Sequence, residues 1–285
     1  MTEAWNEEQV RAALGGVDIP ACPEILVKLD AELNQDDPDQ RRIAKLISGD
    51  VALAGRVMQL VNSPAFSRGR RVDSIMQGIT VLGLGQMFPL VVAELLRRAL
   101  GSPPGVPMER FWDSAARTAL TAAQLARRLG QVRPDQAYTF SLFHDCGIPL
   151  LMVRFANYKE VLVAANSQDA QSFCAVEDRL LGTNHAVVGY FLARRWKLPD
   201  YLAQAVLHHH DYGVLEESGS LDQASRAVIG INVLAEHLVR HHALLPADEE
   251  WGKGASAFGH YFGLAEQDVA DLIDDMLEWL EGREA

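Results

Sequence analysis

A chain of 285 residues with 48% hydrophobic and 22% charged side chains is ordinary for a globular protein and long enough to bury a sizeable core. Its formal net charge of -12 repels a phosphate backbone, and the short basic runs "RRIAK" (41–45) and "SRGRR" (67–71) are too small to override it, which argues against nucleic acid as a partner. Cys22, Cys146 and Cys174 lie far apart with no CxxC pair, which excludes a disulfide framework or a thiolate zinc site and fits a reducing, cytoplasmic compartment.

The N-terminal "MTEAWNEEQVRAAL" is acidic and amphipathic, unlike a signal peptide, and no apolar run reaches the length of a membrane span. In "PEILVKLDAEL" the apolar residues Ile25, Leu26, Leu29 and Leu33 recur at helical spacing. "DDPDQRRIAKLI" has an aspartate followed by Pro38, a cap-then-proline start to a helix. Asp50 is placed to cap "VALAGRVMQLVN", which Asn62-Ser63-Pro64 stops, and Asp73 to cap "SIMQGITVL". "LGLGQMFPLVVAELLRRAL" reads as a further helix that Pro89 either starts or kinks.

"GSPPGVP" (101–107), with three prolines and two glycines, reads as a linker. Beyond it, "MERFWDSAARTALTAAQLARRLG", "RPDQAYTFSLFHDCGIPLLMVRF", "NYKEVLVAANS", "SFCAVEDRLLG", "NHAVVGYFLARRWK", "PDYLAQAVLHHHD" and "LDQASRAVIGINVLAEHLVRHH" all carry the helical period. In the tail, Val269, Leu272, Ile273, Met276, Leu277 and Leu280 form one stripe with acids opposite, a face expected to pack back on the body. Alternating strand patterns are missing. The expectation is an all-α protein of two helical subdomains: an extension over 1–16, a first subdomain over 17–100, the linker 101–107, a bundle over 108–245 and a helical extension over 246–285.

The sharpest chemistry lies in "SLFHDCGIPL" (141–150), where His144 and Asp145 are adjacent. Neighbours on a helix point about 100° apart, so they share an ion only near a helix end, and Gly147 with Pro149 supplies one. His185 follows Thr183-Asn184 at a helix start, and His208-His209-His210 closes another helix. Imidazole and carboxylate together suit Fe, Mn or Zn. Spacing alone leaves open whether His144, Asp145, His185, His209 and His210 converge or are capping and half-buried groups. His237, His241, His242 and His260 read as solvated surface residues.

The order "LTAAQLARRLG … LFHDCGIPLL … EDRLLGTNHAVVGYFLARRWKLPDYLAQAVLHHHD" resembles an HD-superfamily domain, and most closely its HDOD ("HD-related output domain") subgroup. "IPACPEILVKLDAELN", "IAKLISGDVALAGRVMQLVNSPAF" and "VDSIMQGITVLGLGQM" are similar to the subgroup's N-terminal part, so the resemblance runs over about residues 17–245. It implies a comparison with active HD phosphohydrolases, including HD-GYP cyclic-di-GMP phosphodiesterases. These use an early-helix histidine, the His-Asp doublet and a later aspartate; HD-GYP members add further histidines and a lysine three residues after the doublet. On that pattern the doublet is His144-Asp145, and the added histidines are His185, His209 and His210. The early histidine falls at Ser114, the lysine at Ile148, and the later aspartate region offers only Asn232 and Glu236.

The resemblance therefore implies a non-catalytic bacterial signalling module with no expected cofactor, acting on proteins of two-component or cyclic-di-GMP signalling, with self-association compatible. The alternative it leaves is a metal-dependent phosphohydrolase with an altered ligand set around Fe, Mn or Zn. The turn "NSPAFSRGRRV" (62–72), with Phe66 ahead of a run of arginines, reads as a docking element or as a solvated loop.

Overall fold

The computed structural model describes residues 7–62, 71–101, 106–166, 172–216, 219, 221–245 and 249–282. The Phe66 turn and the centre of the "GSPPGVP" linker lie outside these residues. Among the described residues there are seventeen helices and no strand, so the fold is all-α. None of these helices is long and apolar enough to cross a membrane.

The chain divides into two units. The smaller one, Ala21–Ala99 with the chain from Glu278, contains α2 (Glu24–Leu33), α3 (Gln40–Ser48), α4 (Val51–Val61), α5 (Ile75–Leu82) and α6 (Leu84–Leu100, whose last residue falls in the other unit). Three of its helix starts follow short polar side chains, though not always the ones expected. Asp50 caps α4 by accepting from Leu53 N–H at 2.9 Å. At α3 the cap is Asp39, which accepts from Arg41 and Arg42 N–H, and Pro38 precedes the cap instead of opening the helix. At α5 Ser74, not Asp73, accepts from Gln77 N–H. Pro89 sits inside α6. Asn62 ends α4 and pairs with Val72 through both its amide atoms (2.8 Å each). Glu94, 4% exposed, receives Arg56, Arg97 and Arg98, and Arg98 also reaches Asp50 at 2.7 Å.

The larger unit comprises Met1–Pro20 and Leu100–Leu277. It therefore includes α1 (Glu7–Ala13), which the sequence reading set apart as an extension. The reason is hydrogen bonding: Thr183 Oγ1 donates to Ala13 O, Arg154 Nε to Gly16 O, and Trp196 Nε1 to Pro20 O. The remaining helices are α7 (Glu109–Leu129), α8 (Pro134–Phe143), α9 (Gly147–Arg154), α10 (Tyr158–Asn166), α11 (Phe173–Leu181), α12 (His185–Arg195), α13 (Asp200–His208), α14 (Gly213–Glu216), α15 (Gln223–His242), α16 (Glu249–Phe262) and α17 (Glu266–Glu281), which runs past Leu277.

α15 is the centre of this unit. It is buried on every side from Ala227 to Ala235, with Asn232 the one polar residue in that span, as a helix is when neighbours cover every face. α7 packs on α15 and α8 through a face of small residues, Ala115, Thr118, Ala119, Ala122, Ala123 and Ala126, which lets the axes approach closely. In α17, Met276 is fully buried and the rest of the predicted stripe is half-buried, with Asp271, Asp274, Asp275 and Glu278 exposed on the other side. Arg128 of α7 pairs with Asp275 at 2.6 Å.

Candidate metal centre

The segment that read as one helix around the doublet is two. α8 stops at Phe143, and a tight turn follows in which Cys146 N–H bonds Phe143 O and Ile148 N–H bonds Asp145 O. This break turns His144 and Asp145 toward a common centre instead of splaying them around a helix. α9 then lies against the start of α12. An ideal Cβ placed on Gly147 would stand 2.1 Å from His185 O, so only glycine permits that approach. Asn184 caps α12 by accepting from Val187 N–H at 2.8 Å, which fixes His185 as its first residue. α13 ends at His208, leaving His209 and His210 in the following turn.

Four imidazoles are locked at Nδ1. His144 Nδ1 donates to Ser141 O (2.8 Å), His185 to Glu177 Oε2 (2.6 Å), His209 to Val206 O (2.7 Å) and His210 to Glu250 Oε2 (2.7 Å). Each acceptor is a carbonyl or carboxylate oxygen, so each Nδ1 carries its proton and each Nε2 is turned inward. His185 Nε2 lies 3.1 Å from the Nε2 atoms of both His209 and His210, and 3.4 Å from Asp145 Oδ1. His209 Nε2 is 3.5 Å from the same carboxylate oxygen. One donor atom from each of Asp145, His185, His209 and His210 falls within 4.8 Å of the others. His144 belongs to an adjoining group: its Nε2 is 3.0 Å from Glu236 Oε1 and 3.3 Å from Asp145 Oδ2. Asp145 is common to both groups.

Nitrogen lone pairs do not face each other at 3.1 Å without a proton or a cation between them. Burial disfavours charge on His185 and His144, yet the carboxylates outweigh it: Glu177 and Asp145 raise the pKa of His185, and Asp145 and Glu236 raise that of His144 well above the ordinary value. His209, buried and beside the other imidazoles, is pushed down to about 3. It stays neutral, with its Nε2 facing that of His185 at 3.1 Å. Burial likewise opposes ionisation of Asp145, but His144 and His185 hold its carboxyl well below the usual range. The donor set of three imidazoles and one carboxylate fits Fe, Mn or Zn. A third group, Cys174, Glu177 and His185, does not fit a metal, because burial raises the Cys174 thiol and keeps it protonated.

A cavity of about 280 Å³ opens over Asp145 and His210. Ser114 and Ile148 stand in its wall. Glu236 of α15 brings a carboxylate to His144, with Asn232 Nδ2 donating to its other oxygen at 3.0 Å. His237 does correct the sequence reading, since it is half-buried and stacks on Trp251 with ring centroids 5.0 Å apart. His241 and His260 are exposed and His242 is half-buried.

The residues that sequence reasoning missed are the carboxylates behind the histidines, Glu177 and Glu250. Glu177 lies one residue after Val176 and four after Phe173, on the apolar face of α11, and an acid in that position is the signal that was available. Glu250 accepts from His210, Tyr212 and Lys253. Burial alone would raise its pKa, but the hydrogen bonds from His210 and Lys253 prevail and hold it at about 2. A carboxyl with a folded pKa below its unfolded value stabilises the fold above the unfolded pKa, and this is lost as pH falls through the folded one. In chelator-treated protein Glu250 is therefore expected to contribute about 3 kcal/mol at neutral pH, lost between pH ~4.5 and ~2. Urea melts across that range should be flatter for Glu250→Gln than for the native chain, and parallel curves would contradict the assignment.

An all-helical bundle that breaks a helix at a His-Asp doublet and gathers further histidines around it is an HD-superfamily arrangement. The HDOD domain profile matches residues 19–212, more than half of the chain, and the chain belongs to that family. It is 29% identical over 198 residues to an uncharacterized protein of Treponema pallidum (strain Nichols), covering 68% of this chain and only 38% of that protein's length. The crystal structure of an HDOD domain protein of unknown function from Geobacter sulfurreducens matches with TM-score 0.70 and 27% identity, over 98% of this chain and 97% of that one. A Shewanella amazonensis SB2B protein, provisionally named a phosphohydrolase, matches with TM-score 0.71 and 24% identity over 94% of this chain and 93% of its own. A Marinobacter aquaeolei VT8 protein, provisionally named a signal transduction protein, matches with TM-score 0.68 and 20% identity over 100% of this chain and 61% of its own. At these identities the last two support the fold alone.

Proposed function

We propose that the protein is a regulatory HDOD protein that acts through protein–protein contact, with its histidine cluster holding a divalent cation or a proton and carrying out no hydrolysis. The observation behind this is the chemistry of the cavity wall. Ser114 and Ile148 offer a hydroxyl and an alkyl group where an active HD hydrolase presents a metal ligand and a phosphate-binding cation. Ile148, Met152, Leu162 and Phe173 supply apolar wall, and among the described residues Asp145, Glu236, Glu249 and Glu250 line the cavity with one arginine, Arg240. A phosphoester anion is poorly held by such a surface. The partners favoured on this reading are cytoplasmic signalling proteins of two-component or cyclic-di-GMP systems.

The second reading, a metal-dependent phosphohydrolase, is favoured by the convergence of the Nε2 atoms of His185, His209 and His210 on Asp145. When bound there, a divalent ion supplies Lewis acidity and an acidified water. The chain's own part would be to hold that ion through these four residues and to keep the imidazoles in the Nδ1–H form through Glu177, Val206 O and Glu250.

One experiment separates the two readings. Purified protein is assayed for Fe, Mn and Zn by mass spectrometry, and for hydrolysis of a generic phosphodiester and of cyclic-di-GMP with each metal supplied. No turnover is expected with any metal. Turnover that disappears in Asp145→Ala would overturn the regulatory reading.

A further inference from the structure

Glu177 is fully buried, and its ion-pair partner is the imidazole of His185. A carboxylate in such a place is costly unless several donors surround it. Three do. Its Oε2 accepts His185 Nδ1–H at 2.6 Å and the backbone N–H of His185 at 3.1 Å. Its Oε1 accepts the hydroxyl of Tyr158, itself fully buried on α10. The backbone contact satisfies one of the first-turn amides of α12 that the helix leaves without an internal partner. The ring contact fixes the tautomer of His185 and its rotation about χ2. Phe173, ring centroid 5.3 Å from that of His185 at an interplanar angle of 86°, closes the space beside the imidazole.

Of the four histidines, His185 is the one whose Nε2 lies 3.1 Å from two others, so a small rotation of this ring would open the whole donor set. A backbone carbonyl, the acceptor for His144 and His209, carries no net charge and is set by its own helix. Glu177 is a side chain held by a second side chain from another helix, and it brings a full negative charge to the Nδ1 side of the ring.

We infer that Glu177, braced by the Tyr158 hydroxyl, is the positioning residue that holds His185 as the Nδ1–H tautomer with Nε2 aimed at Asp145, His209 and His210. This rests on the reading of the cluster as cation-capable, and it concerns the metal-free ring as well as the loaded site. Outer carboxylates of this kind orient a ligating imidazole and raise its basicity, and their loss costs metal affinity while leaving the ligands in place.

The test uses the full chain in two states. In the chelator-treated protein, long-range ¹H–¹⁵N correlation spectra report which ring nitrogen of His185 carries hydrogen. The native protein is expected to show Nδ1 protonated at neutral and mildly alkaline pH. Glu177→Leu is expected to move the neutral ring to the Nε2–H form, and Tyr158→Phe to keep Nδ1 protonated with a weakened, less downfield Nδ1–H resonance. In the second state, Zn²⁺ titrations of Glu177→Gln, which preserves shape, are expected to show affinity reduced roughly 10–100-fold with the helical circular-dichroism melt retained. Native tautomer in Glu177→Leu, or native Zn²⁺ affinity in Glu177→Gln, would overturn the inference. Should Glu177→Leu fail to fold, Glu177→Gln and Tyr158→Phe decide it. Should the native chain take up no Zn²⁺, the cation reading fails, and the tautomer spectra still decide the role of Glu177.

Discussion

Replacing Gly147 with alanine is expected to destabilise the larger unit by about 3 kcal/mol or more, and to lower its melting temperature by roughly 6–12 °C. The added Cβ would sit 2.1 Å from His185 O, 2.8 Å from its carbonyl carbon and 2.9 Å from its Cα. These are backbone atoms of the first turn of α12, and no rotamer change relieves the contact. Either α9 or α12 has to move. α12 is held by the Asn184 cap, by Glu177 on the His185 amide, and by Gly189, whose own Cβ position stands 2.9 Å from Val206 Cγ1 and 3.2 Å from Cys146 Sγ. With both sides fixed, the strain falls on the contact that sets His185 beside the doublet, so a weakened response to added Zn²⁺ should accompany the lower melt. Gly55 is the control. It is exposed on α4 with nothing within 4 Å of its Cβ position, and Gly55→Ala is expected to be neutral or stabilising by about 0.5–1 kcal/mol. Differential scanning calorimetry of the two variants checks both, and a Gly147→Ala protein that melts with the native chain would show that the close approach is not needed.

Gly147 also shows what the sequence could and could not convey. Helical periodicity, proline and glycine punctuation and the absence of alternating patterns are local properties, and they were enough for an all-α fold and for most helices. The cap positions at Asp39 and Ser74 were missed by one or two residues because several adjacent polar side chains satisfy the same rule, and only backbone geometry selects between them. Gly147 was readable as a distortion that frees the doublet from helical splay. Its second role, making room for His185 thirty-eight residues later, depends on a long-range approach that no spacing encodes.

The same limit applies to the site. The histidines were visible as residue types, and resemblance put them in order, but their division into two groups about Asp145 required distances. In the sequence, Asn232 and Glu236 were all that the later aspartate region offered. One turn along α15 returns a side chain to the same face, and that is how the Glu236 carboxylate reaches His144. Glu250 was harder still, since an acid that serves as a hydrogen-bond acceptor for a histidine looks in sequence like an ordinary surface charge, and only its place on the apolar face of α11 set Glu177 apart.

The two donor groups make separable predictions for the histidines. His185→Ala removes the ring nearest to both neighbouring Nε2 atoms and should lower Zn²⁺ affinity at least 100-fold, beyond what loss of an outer partner costs. His144 lies outside the four-residue group, and its Nε2 touches Asp145 Oδ2 at 3.3 Å while Oδ1 faces His185 and His209. His144→Ala should therefore act as the loss of a residue that only orients Asp145, within roughly 10–100-fold. Asp145→Asn is common to both groups and should match or exceed His185→Ala. It should also cost about 1–3 kcal/mol of stability, because the carboxylate that His144, His185 and His209 surround is gone. Isothermal titration calorimetry with Zn²⁺ orders the three variants, and chemical melts give the stability cost. An order in which His144→Ala is the most damaging would place the cation between His144, Asp145 and Glu236, on the α15 side of the cavity. That outcome would return Glu236 to the position of a working ligand and strengthen the hydrolase reading, since the carboxylate contributed by α15 would then hold the ion directly.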